Sequence, residues 1–317
     1  MNKILCIGEA LIDMICTDKG KSLADGQNFL KKPGGAPTNV AAAIAALGGH
    51  ADLAAKVGVD PFGQHLVDTM QQFGVDTRYM FRDADHFTTI AFVSLMESGE
   101  RDFVFSRGAD SQLSLQDMAT VPLHQYPIFH FGSATSFLPG PFYEAYRSSR
   151  DIALQQGAFI SFDPNYRHDL FKNNQSFFIY NSLDFIANCN YYKVSDEEAM
   201  LLTTTSTIND AANALMEKSA ATFTITLGKE GTLLCHNGQM ETIASIPVNP
   251  VDTTGAGDAF VGALLYLLSQ KEKETMHQLS MADWKAMVYN ANKAGARTCE
   301  YLGAMEAFKH LNNTIFE

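Results

Sequence analysis

Short apolar runs alternate with helical segments along most of this chain, and that alternation restricts it to a mainly parallel sheet covered by helices on both faces. Residues 3–8, KILCIG, read as a buried first strand that ends in glycine. Residues 36–47, APTNVAAAIAAL, read as an alanine-rich helix stopped by Gly48 and Gly49. Residues 51–58 read as a second buried strand, after which Asp60 and Pro61 start a helix that Gly74 ends. The rhythm resumes with segments at 127–131, 142–156, 158–163, 183–189, 209–218, 221–227 and 256–269. It is interrupted at 87–94 and 101–106, two alternating segments that flank the polar Glu97-Ser98-Gly99-Glu100 and predict a hairpin. With the polar, irregular stretch 14–33, this hairpin is expected to form a second layer over one end of the sheet. No repeat or low-complexity linker divides the chain. The expectation is a single α/β domain over 1–317, doubly wound, with a small β-sheet lid from about 14–33 and 87–108.

The most informative segment is Asp252-Thr253-Thr254-Gly255-Ala256-Gly257-Asp258, which runs directly into an apolar helix rich in small residues. A helix N-terminus preceded by glycines presents free N–H groups and a partial positive charge, a site for phosphate. Asp258 would repel a phosphate that is merely bound. Its place is explained if it stands beside a phosphoryl group in transfer and accepts the proton of the attacking hydroxyl, while the amides of Gly255, Ala256 and Gly257 form an anion hole. The alternative is a first-turn carboxylate that only complements the helix dipole. Phe260 rules out a G-x-G-x-x-G fingerprint, and no Gly-Lys-Ser/Thr follows to make a Walker A loop.

Composition removes several other classes. With 35 acidic and 23 basic residues the formal net charge is −12, which opposes binding to nucleic acid or anionic membrane. The five cysteines are scattered, with no C-x-x-C pair, which predicts reduced thiols in a cytoplasmic protein. The N-terminus lacks the pattern of a signal peptide, and no run has the length of a membrane span. The nine histidines form no H-x-x-x-H or H-x-H pattern, so a transition-metal site is not expected.

The stretch DTTGAGDAF at 252–260 closely resembles the C-terminal signature of the ribokinase, or PfkB, family of carbohydrate kinases. Gly34-Gly35-Ala36-Pro37-Thr38-Asn39, followed by Leu47-Gly48-Gly49 and by Gly58, Asp60, Phe62 and Gly63, resembles the family's N-terminal signature. The resemblance runs from Gly8-Glu9 to about Gly303-Ala304. GEALIDMI at 8–15, SRGAD at 106–110, FGS at 131–133 and DPNYR at 163–167 look most like a fructokinase. DPNYR also resembles 2-keto-3-deoxygluconate kinase, in which an Arg at this place meets a substrate carboxylate.

The resemblance implies an ATP-dependent, Mg²⁺-assisted kinase of a small sugar, with K⁺ as a further cofactor and a homodimer formed lid to lid. Asp13 lies where the family's sugar-binding acid lies, Gly34 and Gly35 let backbone approach the sugar, and Asn39 both donates and accepts there. Phe103 and Phe105 point to one face of the lid, where Phe103 either covers the sugar ring or packs lid against body. Asn165 and Arg167 follow a buried strand at its carboxyl end, where open α/β sheets hold ligands, and are read as substrate or phosphate contacts. Lys193 to Glu198 looks like the N-x-x-E motif, whose Glu organises Mg²⁺ and phosphate through water, and the resemblance implies that Lys193 and Glu198 are cofactor-binding residues. Ser195 replaces the usual Asn there, and the segment equally fits a helix N-cap. Thr226, Gly228 and Gly231 resemble the nucleotide loop, although strand–turn–strand hairpins use the same glycines. Asn290 aligns with an adenine-pocket position. Asp252, the Thr254 carbonyl and backbone near Gly303 resemble the monovalent cation site. The expected activity is phosphorylation of a primary hydroxyl, with fructose to fructose 6-phosphate first, 2-keto-3-deoxygluconate second, and a non-catalytic sugar or nucleotide sensor as the reading from another class.

Overall fold

The computed structural model describes residues 1–96 and 101–317, with the Arg101 side chain excepted. Thirteen strands are found among them: β1 (Ile4–Ile7), β2 (Leu11–Cys16), β3 (Phe29–Gly34), β4 (Ala51–Gly58), β5 (Met80–Asp83), β6 (Ile90–Leu95), β7 (Arg101–Ser106), β8 (Ile128–Phe131), β9 (Phe159–Phe162), β10 (Tyr191–Ser195), β11 (Thr222–Thr226), β12 (Thr232–His236) and β13 (Gln239–Ile243). Nine form a sheet of order β13-β12-β11-β10-β9-β8-β1-β4-β5. The seven from β5 to β11 run parallel, and β12 and β13 close the edge as an antiparallel hairpin. The chain starts in the middle at β1, winds outward through β4 and β5, then returns to the other side of β1 at β8. This reversal is the topological switch at which such sheets bind ligands, outside their carboxyl ends.

The remaining four strands make a separate sheet of order β3-β2-β6-β7. The fold is therefore a mixed α/β structure with one large, mostly parallel sheet and one small sheet, as the strand–helix rhythm predicts. The expected hairpin 87–106 is β6 paired antiparallel with β7; its turn, residues 97–100, lies outside the described residues. The stretch 14–33, irregular by its polarity, contributes most of β2 and all of β3. Lys31 and Lys32 hide β3, because a strand covered on one side needs no continuous apolar run. Segment 183–189 lies mostly on the helix Gln175–Ala187, and the strand that follows it, β10, carries Lys193 in its buried middle.

Both expected helices near the start form. Ala36–Ala46 has Pro37 in its first turn, and Pro61–Phe73 is capped by Asp60, whose side chain accepts from the amides of Phe62 and Gly63, and ends at Gly74 in the left-handed conformation. The helix Ala256–Ser269 is buried almost all round between Ala36–Ala46 and Met281–Thr298. Gly262 permits that approach: a Cβ there would stand 2.7 Å from the Cβ of Ala43. On the opposite face of the sheet, Phe131, Phe137, Tyr146, Phe162, Phe178 and Phe185 pack ring against ring. No helix among the described residues is long and apolar enough to cross a membrane.

Candidate active site

The loops that follow β1, β8, β9, β10 and β11 all leave the carboxyl edge of the large sheet, and Glu9 bolts the first two together. It is 1 % exposed. One carboxylate oxygen accepts from the amides of Ala36 at 3.1 Å and Ala134 at 3.4 Å, and the other accepts from the Ser133 hydroxyl at 2.5 Å. Thr38 donates to the Glu9 carbonyl at 2.9 Å. The helix Ala36–Ala46 has no side-chain cap from its own N-cap residue, so Glu9 supplies the missing acceptor. Gly35 turns the chain into this helix at φ 105°, where a Cβ would collide with the Glu9 carbonyl. Burial lifts the Glu9 carboxyl to about 7, against hydrogen bonds from Ser133 and Ala36 that pull it down. Asp110, also buried, accepts from Thr89 and Thr135 and ties the base of the small sheet to the same turn. Glu9 and Asp110 lie inside the sequence motifs with no residue pattern that marks a role for either, and it is their burial and partners that reveal one.

At the start of Ala256–Ser269, Gly255 caps the helix in the left-handed conformation, φ 81°, with a Cβ forbidden there by Ala304. Of the amides expected to form an anion hole, that of Ala256 is already donated to the Thr253 carbonyl at 3.2 Å. Those of Gly255 and Gly257, joined by that of Asp258, have no protein acceptor among the described residues.

Asp258 points from this first turn to Asn39, whose Nδ2 donates to Asp258 Oδ2 at 2.7 Å across 219 residues of sequence. The two glycine-rich turns therefore meet at one hydrogen bond. Burial lifts the Asp258 carboxyl to about 6; Asn39 opposes the rise, Asp163 adds to it, and Lys193 and Arg167 oppose it. The Asn39 Oδ1 is buried and has no partner among the described residues.

Asp13 is half-buried on β2, and burial lifts its carboxyl to about 6, with Arg167 pulling the other way. Gly34 on β3 leaves room for the Asp13 carboxylate, which a Cβ would strike. Register places Asp13 opposite Ala91, and Ala91 opposite Phe105. Phe103 stands one row further out, opposite Val93, with its ring stacked on Phe105 at 6.1 Å.

After β9, Asn165 adopts φ 50°, donates to the Gly132 carbonyl at 3.0 Å and accepts from Arg167 at 3.0 Å. Arg167 is exposed, and its other hydrogen bond goes to the Tyr166 carbonyl. Glu198 is buried in a reciprocal cap with Ser195, and its two oxygens accept from the amides of Tyr166 at 2.7 Å and Ser195 at 2.8 Å. The N-cap role of this segment is thus real, with lone pairs left over on the carboxylate. Thr226, Gly228 and Gly231 lie on the β11–β12 hairpin turn, where Thr226 reaches the Val194 carbonyl at 3.4 Å. Asn290 is half-buried on the helix Met281–Thr298, and its side chain makes no hydrogen bond among the described residues. Two residues on, Asn292 fixes Thr232 and the carbonyls of Ile243 and Ala244, an anchor that the sequence did not single out. Asp252 accepts from the Thr254 amide at 2.9 Å and hydroxyl at 2.7 Å, rather than facing the Thr254 carbonyl, and from the Gly303 amide at 2.8 Å.

A carboxylate poised near neutrality, beside free amides at a helix start, suits proton removal from a hydroxyl as negative charge gathers next to it. The family profile described as pfkB family carbohydrate kinase matches residues 1–310. The chain is 35 % identical over 312 residues to a probable fructokinase-4 of Arabidopsis thaliana, covering 96 % of this chain and 93 % of that one. It is similar to a crystal structure of a Vibrio cholerae O395 fructokinase double mutant with fructose, ADP and potassium ion bound, with a TM-score of 0.85 and 31 % identity over 100 % of this chain and 97 % of that one. A sugar kinase of Pyrococcus horikoshii in complex with ATP superimposes with a TM-score of 0.82 at 31 % identity, covering 95 % and 94 %.

Proposed function

The chain belongs to the pfkB family of carbohydrate kinases, and from that premise we propose that it transfers the γ-phosphoryl group of ATP to the primary hydroxyl of fructose, giving fructose 6-phosphate. The observation that carries this is the Asn39–Asp258 hydrogen bond, which sets a proton acceptor beside unoccupied amides where the two signature turns meet. Asp258 takes the hydroxyl proton, the sugar oxygen attacks the γ-phosphorus, and ADP leaves. The amides of Gly255, Gly257 and Asp258 receive the phosphoryl oxygens. Asp13, Gly34, Gly35, Asn39, Asn165 and Arg167 are assigned to the sugar, and Lys193, Thr226, Gly228, Gly231 and Asn290 to the nucleotide.

No cluster of three metal-binding side chains exists among the described residues. That suits Mg²⁺, which keeps its waters and leans on substrate phosphates. Glu198 would meet it through water, and the ion would neutralise phosphate charge. Asp252 draws the Thr254 and Gly303 backbones together, and that pocket is assigned to K⁺. The five free cysteines support a reducing, cytoplasmic setting.

The test is ATP consumption with fructose, ribose, 2-keto-3-deoxygluconate and a nucleoside. Fructose should give the highest kcat/KM; preference for the acidic sugar, abolished by Arg167→Ala, would replace fructose as the substrate.

The small sheet is assigned as a lid that keeps water from the γ-phosphoryl group. Phe105 shares the row of Asp13, so Phe105→Ala should raise KM for sugar roughly tenfold, the scale of about 1–2 kcal/mol of lost ring contact, with KM for ATP unchanged. Phe103→Ala should do less. Equal effects on both KM values, accompanied by a fall in Tm, would make these rings packing residues.

A further inference from the structure

A cavity of about 350 Å³ opens at the amino edge of the large sheet, the edge opposite the two glycine-rich turns. Phe159 opens β9, Asn190 immediately precedes β10, Thr222 opens β11, and His236 ends β12, which runs back antiparallel. Residues 276–279 form the remaining wall, with Met276 and Leu279 buried as its anchors and His277 exposed between them. β10 and β11 have five residues each, so roughly 16 Å of strand separates this cavity from the carboxyl edge. It therefore lies outside the site assigned above.

Its polar groups are held in place. The Asn190 Oδ1 accepts from the Ile160 amide at 2.8 Å, which turns Nδ2 toward His277 Nδ1 at 3.3 Å. An amide nitrogen only donates, so His277 Nδ1 accepts and the ring proton sits on Nε2. That N–H has no partner among the described residues. The His277 ring leans on Phe159, with centroids 5.6 Å apart. On the other side His236 is paired with Thr222 at 2.7 Å and with Asn237 at 3.0 Å. Trp284, buried and stacked on Tyr191 at 5.4 Å, backs the cavity.

The lining carries no Asp, Glu, Lys or Arg. Burial pushes both imidazoles below the usual histidine value; Lys273 adds to the fall at His277, and the Leu279 backbone opposes it at His236. The rings are neutral at pH 7. An anion would find no counter-charge here, in a chain of net charge −12. A cation would find no carboxylate in the lining, and no cluster of three metal-binding side chains exists among the described residues. An apolar ligand would strand the amides, hydroxyls and imidazoles. A hydroxyl both donates and accepts, which suits every polar group present. The volume lies at the lower end for small-molecule sites, the scale of one sugar ring.

We propose that this cavity is a second ligand site, which takes a neutral polyhydroxylated molecule the size of one monosaccharide and holds it through the free N–H of His277. The occupant ties the starts of β9, β10 and β11 to the segment that leads into the helix Met281–Thr298, and it leaves the catalytic edge untouched.

The experiment uses the full chain carrying Asp13→Ala, which weakens the sugar site assigned above. It is titrated with D-glucose, D-fructose and myo-inositol, and with inorganic phosphate and AMP as charged probes. The readouts are Tm and the imidazole ¹H–¹⁵N resonances, with that of His277 identified by its loss in His277→Phe. At least one neutral probe should shift the His277 resonance saturably, with a Kd of roughly 1–10 mM for a ligand held by a few hydrogen bonds, and should raise Tm over the same range. His277→Phe keeps a ring on Phe159 and removes the donor, so it should weaken the binding read from Tm roughly tenfold. Fructose kinetics of His277→Phe with Asp13 intact should stay within about twofold of wild type. If His277→Phe fails to fold, a crystal structure with the same probe decides, and a cavity that stays empty overturns the proposal. A His277 resonance unmoved by neutral probes up to about 100 mM, well above the weakest Kd expected, overturns it. So does a linear shift without saturation, or a response to phosphate or AMP alone.

Discussion

Asp258→Asn is expected to lower kcat by roughly 10²–10⁴-fold, the usual contribution of a positioned general base, while nucleotide binding and Tm change little. The substitution keeps an amide oxygen to accept from Asn39 Nδ2, which now donates to Asp258 Oδ2 at 2.7 Å, so the contact between the two glycine-rich turns survives and basicity alone is removed. The same residue sets the acid side of the pH profile. Its carboxyl stands at about 6, raised by burial, and it must be ionised to accept a proton. Wild-type kcat/KM should therefore fall as pH drops through about 6. The residual activity of Asp258→Asn should lack that limb. A variant with near-normal kcat would remove Asp258 from the chemistry.

Glu9→Ala is expected to cost about 3–5 kcal/mol of stability, because the amides of Ala36 and Ala134 and the Ser133 hydroxyl lose a buried acceptor, each such loss costing roughly 1–3 kcal/mol. Glu9→Gln separates packing from charge. The Glu9 carboxyl is raised from 4.5 to about 7 in the fold. Between those values the folded state holds the proton more tightly than the unfolded chain does. The stability that Glu9 contributes is therefore fully present below about 4.5 and is lost as pH rises through about 7. The advantage of wild type over Glu9→Gln should shrink across that window, by up to about 3 kcal/mol for a shift of this size. Denaturant melts at several pH values check it, and a gap independent of pH would show that Glu9 does not titrate with folding. Its loss should also disturb sugar binding, since it holds Gly35 and the 133–134 turn in place.

What the sequence reveals depends on how local the controlling physics is. The helices Ala36–Ala46 and Pro61–Phe73 are legible because proline, an Asp cap and glycine stops act within a turn of their own positions. The paired strands β6 and β7 show through simple alternation. β3 and β10 are obscured by lysines, Lys31 and Lys32 at successive positions that point to opposite faces of the small sheet, and Lys193 buried on an Asp from a neighbouring strand. The site divides in the same way. Asp258, Asn39 and Asp13 can be picked out because their motifs have a recognisable pattern. Glu9, Asp110 and Asp163 matter through burial and partners far along the chain, among them Ser133, which lies 124 residues from Glu9. The free amide of Asp258, and the engagement of that of Ala256 by Thr253, depend on backbone geometry that no residue type specifies. The placement of Phe105 rather than Phe103 beside Asp13 is a matter of strand register, which alternation within a single strand leaves undetermined.

Transfer of the γ-phosphoryl group of ATP onto the primary hydroxyl of fructose is the step on which every assignment at this site depends. Its most direct test is phosphorus NMR of a reaction containing the full chain, ATP, Mg²⁺, K⁺ and fructose. The expected result is fructose 6-phosphate and ADP in equal amounts, with neither formed by Asp258→Asn on the same timescale. ADP and inorganic phosphate without sugar phosphate, or phosphate on a secondary hydroxyl, would contradict it.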